Sequence, residues 1–453
     1  MINRRSFIKQ SVLAAGGLLL SSSAFGGFFI GKKPRVIILG GGLAGLSAAR
    51  YLRSKDVDVV VLEARGRIGG RVFSYTIDPK EKLVTELGGE WIGDHHDRMK
   101  ELCGEYKLPL LNNQLDTHLI YKGRYYPKNQ WDYTQDWTQK LNTLLEQYRQ
   151  MPDEEKLLLD KLDWWRYLVN NGCKDRDLDI RELLDSTDFG ESIRHVSALA
   201  AISEYAGSSP KNEMDLKIKG GNGVLPEKMA GELGDVIKLK HAAARIEQMP
   251  GGVRVTCTNG KVFEGDKIIC TIPAFALDKI DWQPGLPAQT LAAANELQYA
   301  RINKNVLLFK ERFWKDEAFD LITDTPAQYF YHATKDQPSR KGALISYTIG
   351  DKAAVVAAQN EAWKLNMIQQ SIAPLHKNIG SMLEKQENYY WGEDAYSRGA
   401  YALYGIHQMT NVMPVLKQHF MHTHFAGEHL ADWQGFMEGA VVTGEDAAKA
   451  VMM

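Results

Sequence analysis

Cysteine is scarce in this chain of 453 residues: it has four, Cys103, Cys173, Cys257 and Cys270, with no Cys-x-x-Cys spacing among them. That pattern indicates neither a zinc site nor a disulfide framework. Cys257 and Cys270 fall in neighbouring predicted strands and could face one another, but two buried free thiols are the better expectation. A surplus of charge is also missing. With 55 Lys and Arg against 56 Asp and Glu, the net charge of −1 makes no electrostatic case for nucleic acid or an anionic membrane as partner. The apolar run from Val12 to Leu20 is too short for an ordinary membrane-spanning helix, so no stable span is expected in the mature form. Beyond residue 30 there is no internal repeat and no low-complexity segment. The histidines His95, His96, His422 and His424 lack a third ligand at diagnostic spacing, so no metal site is expected. What is present is a globular composition, 44% hydrophobic and 25% charged, on a chain longer than one ordinary core. Two interleaved or sequential domains follow, and a homodimer stays an open option.

The first residues read as a targeting segment. Asn3-Arg-Arg-Ser-Phe-Ile-Lys9 puts paired arginines before the apolar run, and small residues follow around Ser22-Ser-Ala24. Charged region, short apolar core and cleavage site come in the order of an export signal, with cleavage near residue 24. The arginine pair with Phe7 and Lys9 resembles a twin-arginine signal, which carries folded proteins and implies a periplasmic destination. Such a route suits a protein that must first capture a cofactor.

The strongest local signal follows at once. Val36-Ile-Ile-Leu-Gly40-Gly-Gly42-Leu-Ala-Gly45 leads through an Ala-rich helical stretch to Val59-Val-Val-Leu-Glu63. This is a complete βαβ unit built on Gly-x-Gly-x-x-Gly, with an acid ending its second strand. Gly40 allows the tight turn, Gly42 admits a pyrophosphate close to the backbone, and Gly45 brings helix against strand. Helix N-terminal amides would hold the phosphates, and Glu63 is placed to accept from a ribose hydroxyl. An adenine dinucleotide is implied, with NAD and FAD both open at this point.

Further along, Asp97 to about Tyr205 is mainly helical in pattern. Pro152 to Val169 is the clearest case, with Leu158, Leu162, Trp165 and Val169 at helical spacing. Gly220-Gly-Asn-Gly223 forms a loop into a short helix. Strand patterns then run through Val253–Cys257 and Lys267–Ile272, with Asn259-Gly260 between them predicting a hairpin. A second strand-rich block runs from Asn303 to about Ile349, and the end of the chain reads as strand, glycine-rich turn and helix. The expected fold class is α/β, with a Rossmann-like dinucleotide domain that leaves and re-enters the chain. Its pieces are 31–96, 215–275 and 391–453, after the signal segment 1–30. A helical insert at 97–214 and an α+β substrate domain at 276–390 complete the chain.

Three more motifs carry chemistry. Ala64-Arg65-Gly-Arg67-Ile-Gly-Gly70-Arg71 offers guanidinium and backbone donors beside a pyrophosphate. Glu86-Leu-Gly-Gly89-Glu90-Trp91 sets a glycine pair beside a bulky aromatic, as if backbone approached a flat ring. Phe425-Ala-Gly427-Glu428 precedes Asp432-Trp-Gln-Gly435-Phe436-Met437-Glu-Gly439-Ala440, a strand, a loop and a helix start. In this order these residues resemble the flavin amine oxidase superfamily (monoamine oxidases, polyamine oxidases and L-amino-acid oxidases), over nearly the whole chain after residue 34. The resemblance implies FAD, with Gly40, Gly42, Gly45, Glu63, Arg65, Arg71, Gly89, Glu90, Trp91, Trp391, Gly427, Gly435 and Phe436 around it. Glu428 is implied at its ribityl or phosphate region, the Met437 amide near the flavin pyrimidine carbonyl, and Ala243 where the family's adenine-contacting valine stands. No cysteine lies near Phe425 or Trp433, where monoamine oxidases attach flavin, so non-covalent FAD is expected.

At the reaction centre, Lys304 falls in a strand similar to the one bearing the family's lysine, which holds a water near flavin N5. Tyr401 matches the first aromatic-cage position and Phe436 the second, where monoamine oxidases carry tyrosine. Two facing rings above a flavin would steer an amine. The implied reaction is oxidative deamination of a monoamine, polyamine or amino acid with dioxygen, giving aldehyde or keto acid, ammonia and hydrogen peroxide. Asp94, for a distal ammonium, and Arg98, for a carboxylate, are the substrate candidates after Trp91. The rival readings are a flavin desaturase or dehydrogenase of a carotenoid or porphyrinogen, and a non-catalytic flavin-binding protein.

Overall fold

The computed structural model describes residues 33–207, 215–432 and 434–453. The expected export segment lies outside them. The centre of the fold is a five-stranded parallel sheet in the order Thr423–Phe425, Lys267–Cys270, Arg35–Leu39, Asp58–Glu63, Ile237–Leu239. Parallel strands covered on both faces need apolar residues at nearly every position. Val36-Ile-Ile-Leu39 and Val59-Val-Val-Leu62 supply them, all buried. Strands far apart in sequence pair here, so this sheet is assembled from separated pieces of the chain.

Helix Leu43–Arg53 follows the first strand, and the last helix, Met437–Ala450, packs beside it. Both contacts depend on missing side chains. A Cβ on Gly45 would stand 1.9 Å from the Gly40 carbonyl oxygen, and one on Gly444 would stand 2.1 Å from the carbonyl oxygen of Ala44. The third glycine of the motif therefore does the packing work that the sequence assigned to it.

A second, seven-stranded sheet runs Leu383–Tyr390, Ile302–Phe309, Gly342–Ile349, Tyr329–His332, Phe319–Thr323, Asp116–Tyr121, Arg124–Tyr126. Its pairings are antiparallel except Phe319–Thr323 against Asp116–Tyr121. Here the structure departs from the mainly helical reading of 97 to 205. After a helix at Asp97–Glu105, Leu110–Asn112, Asp116–Tyr121 and Arg124–Tyr126 are strands, and helices resume only at Gln135. Thr-His-Leu-Ile-Tyr is β-prone, but what makes it a strand is a partner two hundred residues away. The single helix read from Pro152 to Val169 is also broken. It becomes Asp153–Leu158, a short 3-10 turn and Trp164–Asn170, because Asp163 accepts the Arg166 N–H and caps a new helix.

The Asn259-Gly260 turn forms, but it joins Gly252–Cys257 to Val262–Gly265 rather than to Lys267–Ile272. Lys267–Cys270 enters the parallel sheet instead. Its continuous Ile-Ile-Cys burial, against the alternating exposure of Val262–Gly265, is the physical distinction between the two. All four cysteines are buried and free. Among the described residues no helix is long and apolar enough to cross a membrane.

Gly444→Ala forces backbone apart and is expected to cost about 1–3 kcal/mol. Gly231→Ala sits in a helix with nothing within 4 Å of the new Cβ, and should be neutral or stabilising by up to about 1 kcal/mol. Thermal unfolding of both variants checks the pair, and equal effects would contradict the packing account.

Candidate active site

One cavity of about 980 Å³ runs from the glycine turn into the space between the two sheets. That is the upper end of the range of about 300–1,000 Å³ for small-molecule sites. At its first end Gly40, Gly42, Leu43 and Ala44 form the wall, where the helix beginning at Leu43 has no side-chain cap on its N-terminal amides. Glu63 is buried beside them. Its carboxylate accepts the Gly41 and Arg65 N–H groups, each at 2.7 Å, so it shapes the turn as well as lining the cavity. The Gly69 N–H donates to the Gly41 carbonyl at 2.8 Å, which folds the Arg67–Arg71 segment beneath the turn. Arg65 pairs with Asp394 and reaches Ser397 at 2.8 Å.

Midway, Arg71 forms an ion pair with Glu428. The same carboxylate accepts the Gly435 N–H at 2.7 Å and the Ala402 N–H at 3.2 Å. Burial works against the Arg71 charge, yet Glu428 outweighs it and holds the guanidinium firmly protonated. Met437, at the start of the last helix, lies against Gly89. Trp391 closes the wall, its indole N–H donating to the Leu87 carbonyl at 2.7 Å.

Lys304 comes from the second sheet, where strand alternation turns it away from Asn303 and Asn305. Its Nζ donates to the carbonyls of Glu86 and Gly88, each at 2.9 Å, and lies 3.5 Å from Glu90 Oε2. Burial lowers its pKa, and the partial compensation from Glu90 and Glu86 does not restore it. The lysine is thus neither solvated nor at an edge.

The far end is aromatic and acidic. Tyr401 lies against Gly435, whose Cβ position is 2.8 Å from the ring, and its hydroxyl donates to the Asp188 carbonyl at 2.5 Å. Phe436, next in the chain, lines the same cavity, with its ring 5.4 Å from that of His96. Tyr329, Tyr347, Asp188 and Glu204 complete this end. Asp188 keeps accessible surface and lines the cavity. Desolvation and the nearby Asp185 push its carboxyl up to about 7, against the Tyr205 hydroxyl that hydrogen-bonds it.

The structure therefore gathers Gly40, Gly42, Glu63, Arg65, Arg71, Gly89, Glu90, Trp91, Ala243, Lys304, Trp391, Tyr401, Gly427, Glu428, Gly435, Phe436 and Met437 around one space. Gly45 stands behind it, as a packing residue. Asp94 and Arg98, read as substrate residues, do not join them. Asp94 is exposed and bound to Lys100 at 2.9 Å. Arg98 faces outward into a cluster with Glu101, Glu105 and Glu445. Local sequence could not show that the chain turns away after Trp91. The acids at the far end, Asp188 and Glu204, come instead from helices Asp175–Phe189 and Ala198–Gly207. Lys217, buried against Glu90 at 3.1 Å, was also missed. Its signal was present: a lysine between Leu216 and Ile218 is as unusual as Lys304 between strand residues.

A nucleotide turn, a paired Arg71–Glu428 and a buried lysine facing aromatic rings thus share one cavity. A model of the flavin containing amine oxidoreductase family matches residues 43–452, and the chain belongs to that family. It is an FAD-dependent amine oxidase by class. Amine oxidase [flavin-containing] B of Sus scrofa is 29% identical over 468 residues, covering 93% of this chain and 86% of that protein. Amine oxidase [flavin-containing] A of Canis lupus familiaris is 28% identical over 458 residues, covering 92% and 84%. Among solved structures, wild-type putrescine oxidase bound to putrescine shares the fold at TM-score 0.82 and 20% identity, over 93% of this chain and 99% of that one. Cyclohexylamine oxidase from Brevibacterium oxydans IH-35A gives 0.81 and 20%, over 93% and 99%.

The residues present fit FAD. Gly42 lines the cavity with no side chain between its backbone and the space in front of it. The uncapped amides of Leu43 and Ala44 suit a pyrophosphate. Glu428→Gln should loosen this wall, because Arg71 then keeps a buried charge without its counter-ion. A loss of about 3 kcal/mol in stability is expected, with faster flavin loss on gel filtration. Unchanged unfolding and flavin retention would contradict the role given to the pair.

Proposed function

We propose that this protein is an exported amine oxidase with non-covalent FAD, acting on amines without a carboxylate. The observation that carries the reading is the single cavity joining the glycine turn and the Arg71–Glu428 pair to Lys304, Tyr401 and Phe436. On this reading the parallel sheet is the core of a discontinuous FAD-binding domain, and the seven-stranded sheet is the floor of the substrate domain. FAD, when bound, supplies the two-electron acceptor, and dioxygen reoxidises it with hydrogen peroxide as product. The chain's own part is orientation. Tyr401 and Phe436 hold the amine between rings, while Lys304 holds or passes a proton at Nζ. The substrate loses two hydrogens, and its imine hydrolyses to an aldehyde and ammonia.

Two features support the finer points. The described residues lining the cavity include no cysteine, which favours dissociable FAD. Of the cavity's guanidiniums, Arg65 and Arg71 are already paired and Arg398 lies over the Phe275 ring, which disfavours a substrate carboxylate. Export rests on the Asn3–Lys9 pattern. Purified enzyme should oxidise members of a panel of monoamines and diamines, but not amino acids, in a peroxide assay. Periplasmic material should begin near residue 24 and release its yellow colour on acid precipitation. Turnover of amino acids alone, or flavin retained on the precipitate, contradicts the corresponding point.

Asp188 and Glu204 favour a further reading, in which the substrate carries a second positive charge. Their charges reach the Tyr401 hydroxyl and help keep it protonated. The Asp188 carboxyl is held up at about 7, so it is neutral below that pH and charged above it. KM for an α,ω-diamine should therefore rise as pH falls through about 7, relative to the monoamine of equal length. Asp188→Asn should remove that difference. Parallel profiles for both amines in the wild type would dismiss it.

A further inference from the structure

A second buried lysine stands behind the first. Lys217 lies in the strand Leu216–Ile218, which pairs with Leu110–Asn112 and touches Ile92. Its Nζ donates to Glu90 Oε1 at 3.1 Å and to the Ala333 carbonyl at 3.2 Å. Glu90 Oε2 accepts the Tyr331 hydroxyl at 2.5 Å and lies 3.5 Å from Lys304 Nζ. One interior carboxylate therefore bridges two interior ammonium groups. Side chains at these positions are almost never buried unless paired, so one acid for two lysines must favour one of them. The shorter contact goes to Lys217.

We propose that Lys217 is a positioning residue for the reaction: it takes up the charge of Glu90 and leaves Lys304, the lysine on the cavity wall, as the group that exchanges its proton. The proposal rests on reading the cavity as the site of amine oxidation. Lys217 does not line this cavity, and its strand bridges to Ile92, next to Trp91. It acts on Lys304 through Glu90, which they share, and through its own charge. The groups facing Lys304 are Glu86 and Glu90 from the Glu86–Trp91 segment, Lys217, and the rings of Trp91, Tyr331 and Tyr347, each 5.8 Å away. Tyr389 is its register partner on the neighbouring strand. Glu86 is occupied by the Ser74 hydroxyl and the Asn222 N–H, and burial raises its pKa despite Lys217. Glu90 is thus the acid that the two lysines share. The electrostatic directions agree with the geometry. Burial works against the Lys217 charge, but Glu90 and Glu86 outweigh it. For Lys304 burial prevails, and the Lys217 charge adds to it.

The sign of each substitution follows. Removing the Lys217 charge lets Lys304 keep its proton to higher pH. Removing the Glu90 charge makes Lys304 lose its proton at lower pH. The test uses holoenzyme with 13Cε-labelled lysine, the Lys304 resonance being assigned by its loss in Lys304→Met. Its titration midpoint should rise by about one pH unit in Lys217→Met, a tenfold change in the protonation equilibrium. It should fall in Glu90→Gln and return in Lys217→Arg. Anaerobic flavin reduction by an accepted amine should show a pH limb that moves with the resonance. A midpoint that stays put in Lys217→Met, or shifts of the same sign in Lys217→Met and Glu90→Gln, overturns the proposal. Should Lys217→Met not fold, Glu90→Gln and Lys217→Arg decide it alone. The resonance titrates with or without turnover, so a protein that oxidises no amine defeats the functional reading and leaves this result separately readable.

Discussion

The carboxylate of Glu428 is the constraint on which the site depends. It receives the Arg71 guanidinium, the Gly435 N–H and the Ala402 N–H, and those donors come from three remote stretches of chain. Arg71 belongs to the segment folded beneath the glycine turn. Ala402 follows the tyrosine of the aromatic end, and Gly435 precedes Phe436. A buried carboxylate tolerates so little freedom in its partners, because any donor withdrawn leaves charge unsolvated in a low-dielectric interior. Fixing one group therefore fixes the distance between the nucleotide end of the cavity and its aromatic end.

The same logic, with opposite signs, governs the middle of the cavity. Lys304 is desolvated, yet every donor direction that the structure shows for it meets an oxygen: two carbonyls and Glu90. The carbonyls stabilise an ammonium without adding a titratable group, while Glu90 is shared with Lys217. Charge at the centre is thus set by the interior itself, shielded from solvent ions. The aromatic end adds Tyr401 and Phe436 with the carboxylates of Asp188 and Glu204. A polar, well-satisfied middle between a donor-rich end and an acid-lined end gives the cavity a direction along which a dinucleotide and an amine can be told apart.

Where an interaction was local, it could be read from residues alone. The Gly40–Gly45 turn, the acid at Glu63 and the covered strands around them follow from steric and burial demands a few residues apart. The Arg67–Arg71 and Gly435–Ala440 motifs were legible for the same reason, and so was the lysine at 304, because charge inside an apolar strand demands a partner. Non-local pairing was not legible. The Asn259-Gly260 turn was identified correctly but joined to the wrong strand, since only tertiary burial separates Val262–Gly265 from Lys267–Cys270. Asp116–Tyr121 looked like part of a helical stretch until Phe319–Thr323 supplied its hydrogen bonds.

The substrate wall shows the division most plainly. Asp94 and Arg98 had the right chemistry close to Trp91 in sequence, yet the chain turns outward and both are spent on surface ion pairs. Asp188, Glu204 and Lys217 had no motif at all, and reach the site because helices and a strand from other parts of the chain converge there. Sequence by itself determined the glycine turn and, through motifs that resemble a known family, implied the cofactor class and the chemistry, because those motifs are short-range and fall in a fixed order. Which charges face the substrate was decided only by tertiary structure, because a side chain's electrostatic neighbours are set by packing and not by spacing along the chain.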